Sequence, residues 1–256
     1  MTEGKELQKR LETCRKVIVG LGEEWKAGKG VEAALKGYRA LYPLLKDKDY
    51  FIVTMATDGV IFQTPLGSRE EEAYSAPGQP EGMPSCGGLP KEALEKMDRL
   101  FPPRQKPKDT RWERVVAPCG NETWRQCSRS CTKDIWEPGE VPEDICPHCG
   151  APLVGNTIEA QNYIEEGYLP QWNRYTRWLA ETLKEDTLIL ELGAGFANPG
   201  ILRFPFEKLV FFNQKAFLWR VHEKFPQIPQ ELGGRAKGIC RNSVKWVEEY
   251  VNGRDY

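Results

Sequence analysis

Four cysteines are spaced as the ligands of one metal ion. Cys127 and Cys131 form a first short pair, Cys146 and Cys149 form a second, and fourteen residues separate the two pairs. Two knuckles joined by a loop of this length bring four sulfur atoms to the corners of a tetrahedron, which is how structural zinc is held. Because four thiolates leave no ligand position open, we expect the zinc to stabilise the fold and not to catalyse. Disulfide pairing or idle thiols are the alternative.

The other cysteines, and the histidine between the knuckles, carry weaker signals. His148 lies inside the second knuckle, where it either replaces one sulfur or is an exposed turn residue. Cys14, Cys86 and Cys240 are isolated in the sequence. A buried and inert thiol is the expectation for each of these three.

Two glycine turns each follow an apolar segment. Gly20 and Gly22 follow the run KVIV, and Gly193 and Gly195 follow the run TLILEL. A strand that enters a glycine turn and then a helix begins a nucleotide-binding α/β unit, because the backbone N–H groups of the turn can cradle a phosphate. We therefore expect both turns to meet at the edge of one sheet and to shape one dinucleotide pocket.

The second turn alone would suit S-adenosylmethionine, since methyltransferases place an acidic residue before a G-x-G turn and Glu191 stands there. That motif lies on the first strand of a methyltransferase domain, but only 63 residues follow Gly193 in this 256-residue chain. These residues are too few for the remaining strands. The second turn is therefore expected to belong to the second half of a sheet that begins upstream.

The composition excludes several classes of protein. The 36 Lys and Arg residues against 37 Asp and Glu give a formal net charge of -1, which offers no general attraction for nucleic acid or an anionic membrane. The basic stretch at 104–114 is diluted by Asp109 and Glu113, and no apolar run approaches the ~18 residues of a membrane-spanning helix. The N-terminus lacks the pattern of a secretory signal. We expect a cytoplasmic protein without nucleic-acid or membrane partners.

Apolar runs and stretches of helical spacing alternate along the chain. This alternation predicts the α/β class, with a Rossmann-like, mainly parallel sheet and helices on both faces. The expected strands lie at 16–19, 50–54, 187–192, 209–212, 217–221 and 238–240, and the expected helices lie at 7–14, 23–46, 90–100, 159–184 and 243–251.

The cysteine module interrupts this alternation. We expect residues 117–154 to form an inserted zinc-ribbon module, while 1–116 and 155–256 together form the Rossmann-like nucleotide-binding domain. The stretch at 64–89 is rich in Pro, Gly and Ser, which is typical of a long loop or flap. A basic linker is expected at 102–112.

The order of these motifs resembles the sirtuin (Sir2) family, which comprises NAD-dependent protein deacylases and ADP-ribosyltransferases with a Rossmann-like domain and an inserted four-cysteine zinc ribbon. The resemblance spans most of the chain and is closest to the bacterial class M branch, which is associated with macrodomain partners and protein ADP-ribosylation. Its most specific part is LELGAGFANP at 190–199 with RFPFE at 203–207. The other parts are VIVGLG at 17–22, VTMATDG at 53–59, CGN at 119–121 and WNRY at 172–175.

The resemblance implies NAD as the cofactor and a protein as a possible substrate. It places Asn198 and His222 near ribose hydroxyls, although Asn198 can instead cap the next helix and His222 can instead be exposed. It places Cys119, Asn121 and Asp58 at the reacting end of the site. The residues expected to contact NAD are Gly20, Gly22, Thr54, Gly193, Gly195, Asn198 and His222.

Several positions depart from the family pattern. Glu23 and Glu24 follow the first glycine turn, where the family has small residues, and they are either ordinary helix-start acids or competitors with phosphate for the positive helix end. Ala56 stands in place of the Asn that organises the ribose and a catalytic water, and it offers no hydrogen bond. Cys119 stands in place of the general base, where class M sequences carry Gln. It is either a reactive thiol or a small core residue.

These departures leave more than one function open. The first hypothesis is an NAD-dependent protein-modifying enzyme, in which ADP-ribosyl transfer is favoured over deacylation because deacylation needs a base to activate the ribose hydroxyl. The second is a catalytically inert sirtuin fold that binds NAD or ADP-ribose as a sensor or scaffold. A third is a zinc-ribbon interaction protein whose α/β pocket is empty.

Overall fold

The computed structural model describes residues 3–28, 30–67 and 114–253. Within these ranges the strands form one six-stranded parallel sheet and one antiparallel pair. The strands are β1 (Lys16–Leu21), β2 (Asp49–Thr54), β3 (Val115–Val116), β4 (Gly120–Cys127), β5 (Leu153–Thr157), β6 (Thr187–Leu192), β7 (Ala216–Val221) and β8 (Ala236–Ile239). The order across the large sheet is β3, β2, β1, β6, β7, β8, and β4 pairs with β5 in the small sheet.

The central strands β1 and β6 are almost continuously apolar. All six residues of β6 are buried, and Lys16 is the one position of β1 that is not fully buried. A parallel strand covered on both faces requires this composition. Val17 and Val19 contribute to the core on one face of the sheet, and Ile18 contributes to the core on the other.

Helices cover both faces of the large sheet. Leu7, Tyr38 and Trp246 join the core on one face. Tyr175 and Phe206 join the core on the other. The expected α/β class, with a mainly parallel sheet and helices on both faces, is therefore confirmed. The helices are α1 (Glu3–Thr13), α2 (Val31–Leu45), α3 (Leu169–Ala180), α4 (Arg203–Phe212) and α5 (Ser243–Val251).

The strand expected at 209–212 is wrong, because these residues complete α4. Arg203, Phe206 and Val210 are buried at helical spacing along one side of this helix. Phe212 is 72% exposed. A short apolar run does not by itself distinguish a strand from a buried helix, and here the spacing to Phe206 decides.

Two expected helices are shorter than their sequence patterns indicated. The stretch at 23–46 contains the short 3-10 turn Glu23–Trp25, and α2 begins only at Val31. Gly28 separates them with a φ of 52°, a left-handed conformation that ends regular helix. In the stretch at 159–184, only α3 forms a regular α-helix.

Some expectations concern the part of the chain outside the described residues. These are the helix at 90–100, the linker at 102–112, Cys86 and the loop at 64–89 from residue 68 onwards. Among the described helices, none has both the length and the apolar composition needed to span a bilayer.

The small sheet links the end of β2 to the cysteine knuckles. The backbone N–H of Glu122 in β4 donates to the carbonyl oxygen of Thr57 at 2.7 Å, which joins β4 to the loop after β2. The register with β5 shifts between Asn121 and Arg125, and such a bulge bends a strand. The other end of β4 is Cys127, the first ligand of the cysteine cluster.

Candidate functional site

The two glycine turns lie against each other at the carboxyl ends of β1 and β6. The N–H of Gly22 donates to the carbonyl oxygen of Leu192 at 2.9 Å. A Cβ atom added to Gly22 would stand 2.3 Å from both the Cα atom of Ala194 and the carbonyl oxygen of Gly193. Only glycine permits so close an approach of two backbones. The structure thus brings Gly22 and Gly193 together, as the sequence predicted.

The other two glycines of these turns differ in their surroundings. Gly20 lies within β1, and a Cβ atom there would stand 2.4 Å from the ring of Phe206 on α4, so the structure gives this glycine a packing role. Gly195 is buried in the second turn. The place of its missing side chain lies 3.4 Å from the carboxylate oxygens of Glu23 and from Nε2 of His222.

The Glu23 carboxylate binds backbone N–H groups of the second glycine turn. Gly195 donates to Oε2 at 2.6 Å, and Ala197 donates to Oε1 at 3.3 Å. Successive backbone N–H groups that converge on one point form an anion site. Glu23 does begin a 3-10 turn, as one alternative expected, but its carboxylate is bound by a loop that lies 172 residues further along the chain.

Glu24 is held more firmly than Glu23. Its side chain is 11% exposed, and its carboxylate accepts the N–H of Glu223 at 2.8 Å and the N–H of Ser243 at 2.7 Å. Ser243 is the first residue of α5, so this carboxylate lies where the helix dipole favours negative charge. Glu24 therefore connects the turn after β1 to α5 and to the loop after β7.

His222 is buried, which excludes the alternative of an exposed side chain. Its Nδ1 atom accepts the N–H of Lys224 at 2.9 Å and the N–H of Phe225 at 3.1 Å. Burial lowers the pKa of His222, although Glu24 and Glu23 nearby favour its protonation. A neutral ring whose Nδ1 accepts must carry its proton on Nε2, which leaves one N–H donor directed towards Gly195.

The side chains expected at the end of β2 hold the loop that follows. Thr54 accepts the N–H of Ala56 at 3.1 Å through its hydroxyl oxygen. Asp58 accepts the N–H of Ala27 at 2.6 Å and the N–H of Val60 at 3.0 Å. Asp58 therefore ties this loop to the segment that follows Glu23. Ala56 is buried and offers no polar group in the place of the family's Asn.

Cys119 is a buried thiol. It is 2% exposed, and burial, with the negative charge of Glu23 as a second cause, raises its pKa to about 11. A thiol with this pKa is protonated at neutral pH and is neither a base nor a strong nucleophile. Of the two interpretations of Cys119, the buried core residue is the one that this environment supports.

Asn121 and two polar residues that the sequence did not single out lie next to Cys119. The Oδ1 atom of Asn121 accepts both the N–H and the hydroxyl of Thr123 at 2.9 Å. The Thr57 hydroxyl donates to the Glu122 carboxylate at 2.7 Å, and Lys26 lies 3.6 Å from the same carboxylate. No motif marks Thr57 and Glu122 as a pair, because Thr57 lies in the loop after β2 and Glu122 lies in β4.

Asn198 does not cap α4, which excludes one of the two alternatives for this residue. The helix begins at Arg203 with Leu202 at its N-cap and no side-chain cap, and Asn198 is exposed. Arg203 was not among the predicted site residues, although it begins the RFPFE motif at 203–207. The Arg203 guanidinium donates to the carbonyl oxygens of Ala194 at 2.8 Å and Phe225 at 3.0 Å. Arg203 therefore joins the second glycine turn to the loop after β7.

Glu191, the acidic residue before the second turn, points into the protein. Arg220 binds it with two hydrogen bonds of 2.5 and 2.9 Å and also binds Glu207 at 2.8 Å. Both Glu191 and Arg220 are fully buried. A carboxylate engaged in this way does not bind a ribose, which agrees with the rejection of a methyltransferase site.

The four cysteines of the two knuckles form one cluster. The Sγ atoms of Cys127, Cys131, Cys146 and Cys149 all lie within 4.8 Å of one another. Cys127 and Cys149 are 3.6 Å apart, and Cys131 and Cys146 are 3.5 Å apart. Sulfur atoms about 3.8 Å apart surround a tetrahedral zinc ion with Zn–S bonds of ~2.3 Å, whereas a disulfide needs ~2.0 Å. The cluster is suited to structural zinc.

His148, Cys14 and Cys240 lie outside this cluster. His148 is half-exposed and its Nε2 atom lies 2.9 Å from the Asp134 carboxylate, so it does not replace a sulfur. Cys14 is half-buried. Cys240 is exposed, so the expectation of a buried thiol is wrong there.

No protein-family model matches the chain. Among curated proteins, it is 28% identical over 92 residues to a protein ADP-ribosyltransferase of Staphylococcus aureus (strain Mu50), a match that covers 35% of this chain and 29% of that protein. It is 26% identical over 144 residues to a probable bifunctional ADP-ribose hydrolase/ADP-ribosyltransferase of Fusarium oxysporum f. sp. cubense, covering 55% of this chain and 24% of that protein. The chain thus spans less than a third of either relative.

Solved structures resemble the chain along nearly its whole length. Sir2Tm bound to a propionylated peptide superposes with a TM-score of 0.54 at 10% identity, covering 98% of both chains. A Sir2 homologue in complex with ADP-ribose gives a TM-score of 0.53 at 13% identity, covering 98% of this chain and 96% of that one. This chain has the Sir2 sirtuin fold. The resemblance predicted from the order of the motifs is confirmed, and within the sirtuin fold the four-cysteine cluster stands where a zinc module was expected.

Proposed function

We propose that this chain is an NAD-dependent enzyme of the sirtuin fold that transfers ADP-ribose to a protein. The observation that carries the proposal is the meeting of the two glycine turns at the sheet edge, where N–H groups of Gly195 and Ala197 converge on one acceptor. The ADP-ribosyltransferase names of the two curated relatives support the reaction. ADP-ribose in a structure of the same fold supports the ligand class.

The residues at this edge fit the diphosphate of NAD. The N–H groups of Gly195 and Ala197 already bind a negatively charged group, the Glu23 carboxylate, which stands in for a phosphate oxygen pair. Gly22 and Gly193 contribute by letting the two turns pack closely, because a Cβ atom on either glycine would clash with neighbouring protein atoms. The fit requires that Glu23 turn away when the diphosphate binds, because two negative groups cannot share these donors.

When bound, NAD supplies the ribose carbon that carries nicotinamide, from which nicotinamide leaves as ADP-ribose is transferred. In this proposal the second glycine turn holds the diphosphate, and the Nε2–H of His222 donates to a ribose hydroxyl. Thr54 and Asp58 fix the loop after β2 through the hydrogen bonds described above. Asn121 and Cys119 line the reacting end, with Cys119 as a neutral thiol.

Among the described residues, neither Cys119 nor His222 is placed to act as the base, which favours transfer over deacylation. Deacylation requires a base that activates a ribose hydroxyl. Cys119 is protonated at neutral pH, and Nδ1 of His222 is occupied by two backbone N–H groups. Transfer depends more on positioning the acceptor and stabilising the departing group, which proximity and electrostatics supply.

The proposal is tested by incubating the purified protein with NAD labelled in its adenylate half and with a protein extract of the source organism. Transfer of label to protein together with nicotinamide release is the expected result. A Gly22→Ala variant, in which the two turns cannot meet, serves as the inactive control. If the unmodified chain produces neither label transfer nor nicotinamide release, the enzymatic proposal is refuted.

A second function, binding of NAD or ADP-ribose without turnover, is favoured by one specific observation. Ala56 and the buried thiol of Cys119 stand where the family's two catalytic side chains are expected, and neither offers a charged or basic group. This candidate predicts a rise in melting temperature with ADP-ribose but no nicotinamide release from NAD. A melting temperature unchanged by both nucleotides would exclude it.

A further inference from the structure

We infer that Glu23 is an internal competitor for the anion site of the second glycine turn, and that a ligand diphosphate must displace its carboxylate to bind. The identity of that ligand as NAD or ADP-ribose rests on the proposed function. The anion site itself rests only on the geometry of the turn.

The site consists of backbone donors that the fold has already directed towards one point. Gly195 and Ala197 both donate to the Glu23 carboxylate, one to each oxygen. Arg203 fixes the carbonyl oxygen of Ala194, immediately before these donors, and Gly193 N–H donates to the carbonyl oxygen of Val221 at 2.8 Å. The turn is therefore held in place by groups other than Glu23, and it keeps its shape when the carboxylate leaves.

The Glu23 side chain is free to move although its backbone is not. The backbone around it is fixed by hydrogen bonds from Gly22 N–H to Leu192 and from Glu24 N–H to Gly193. The residue itself is exposed, so its side chain can rotate into solvent. Rotation of an exposed side chain requires no unfolding, so displacement is reversible.

The neighbouring Glu24 gives the contrast that identifies Glu23 as the movable group. Glu24 is largely buried and is bound by two backbone N–H groups, of which Ser243 N–H begins α5. Displacing Glu24 would leave the N–H of the buried Ser243 without its acceptor, which is costly. One acid of the Glu23 and Glu24 pair is thus structural, and the other occupies a site that an external anion can take.

The consequence is a nucleotide affinity set partly by this chain's own carboxylate. A bound diphosphate must replace two hydrogen bonds that Glu23 already makes and must also tolerate its charge nearby. Removal of the carboxylate by Glu23→Ala should therefore raise the affinity for ADP-ribose about tenfold or more. Glu23→Gln, which keeps an acceptor oxygen but loses the charge, should give a smaller rise.

The test is isothermal titration of the unmodified chain, Glu23→Ala and Glu23→Gln with ADP-ribose, pyrophosphate and adenosine. Affinity for the two phosphate compounds should rise in the order unmodified, Gln, Ala, while affinity for adenosine stays unchanged. The matched control is Glu223→Gln. Glu223 is exposed, and its backbone N–H, not its side chain, makes the hydrogen bond to Glu24. The control should leave all three affinities within twofold.

A second measurement keeps the inference testable independently of affinity. In ¹H–¹⁵N spectra, the amide resonances of Gly195 and Ala197 should shift on Glu23→Gln and shift again when pyrophosphate is added. Equal affinities of the unmodified chain and Glu23→Ala, or no binding of either phosphate compound to Glu23→Ala, would overturn the inference. Binding of pyrophosphate but not ADP-ribose to Glu23→Ala would support the inference and count against the proposed function. Equal ADP-ribose binding by the unmodified chain and both Glu23 variants would contradict the inference and support the proposed function.

Discussion

Gly22 and Ala194 are in direct backbone contact, at a distance that leaves no room for a Cβ atom on Gly22. This contact joins the end of β1 to the end of β6, two strands that are neighbours in the sheet but are separated by most of the chain. It places the Glu23 side chain within reach of the second glycine turn. The arrangement of the candidate site therefore depends on this pair.

Replacing Gly22 by alanine should destabilise the fold. The new methyl group would stand 2.3 Å from the backbone of the second turn, and the two turns would have to separate. Overpacking of this kind costs about 1–3 kcal/mol, which lowers the melting temperature by roughly 2–4 °C per kcal/mol in a chain of this size. The matched control is Gly200→Ala, because a Cβ atom there meets nothing within 4 Å. Equal melting temperatures for the two variants would contradict the proposed contact.

Loss of one cluster thiol should release zinc. Cys127→Ser or Cys149→Ser leaves three sulfur ligands, so the affinity for zinc falls. Loss of the zinc then destabilises the two knuckles. The measurement is metal content by mass spectrometry after dialysis, combined with melting temperature. Cys240→Ser changes an exposed thiol outside the cluster and should retain the metal. Full zinc content in both cluster variants would show that the metal assignment is wrong.

Alkylation should distinguish the buried thiol from the exposed one. Because burial raises the pKa of Cys119 to about 11, little thiolate forms at pH 8, and iodoacetamide should modify Cys119 at least tenfold more slowly than the exposed Cys240. Peptide mass spectrometry measures both rates in the same sample. Rapid modification of Cys119 at pH 8 would restore the interpretation of a reactive thiol.

The same raised pKa predicts a loss of stability in alkali. The unfolded chain releases the Cys119 proton near pH 9 and the folded chain near pH 11, so this group's contribution is complete below pH 9 and is lost as the pH rises to 11. Urea unfolding of the unmodified chain and of Cys119→Ala across this range measures the difference. Parallel pH profiles for the two proteins would contradict the burial of this thiol.

His222 should make the protein less stable in acid. Its pKa is lowered below 6.5 in the folded protein, so the unfolded chain takes up the proton first as the pH falls. The stability from the neutral ring is thus present above pH 6.5 and is lost as the pH falls towards the folded pKa. His222→Asn keeps an acceptor for the N–H groups of Lys224 and Phe225 without titrating, and it should flatten the acid limb of the unfolding profile. An unchanged acid limb would contradict this role.

The sequence predicted the sheet well because its central strands are buried on both faces. The mainly apolar runs at 187–192 and at 217–221 have few alternatives to a central parallel strand, and both are strands in the structure. The run at 209–212 is equally apolar but belongs to α4. What separates these cases is the contact of Phe206 and Val210 with the sheet, which short-range sequence patterns do not contain.

The cysteine cluster could be predicted because its ligands lie close together along the chain, whereas the hydrogen bonds of the candidate site could not. The bond from Gly195 N–H to Glu23 joins residues 172 positions apart, and nothing in either local motif specifies it. The same holds for Thr57 and Glu122, which come from the loop after β2 and from β4. Individual motifs therefore predicted where polar groups gather, but their partners depend on how the strands are ordered.

Strand β4 has the cysteine cluster at one end and the candidate pocket at the other. Cys127 ends the strand, while Asn121 near its start lies against Gly59, where an added Cβ atom would stand 2.7 Å from the Asn121 side chain. Eight residues of strand reach about 25 Å at most. The cysteine knuckles therefore anchor the far end of the strand that carries Asn121, and we expect a chelator that loosens them to leave β4 with less support beside the candidate site.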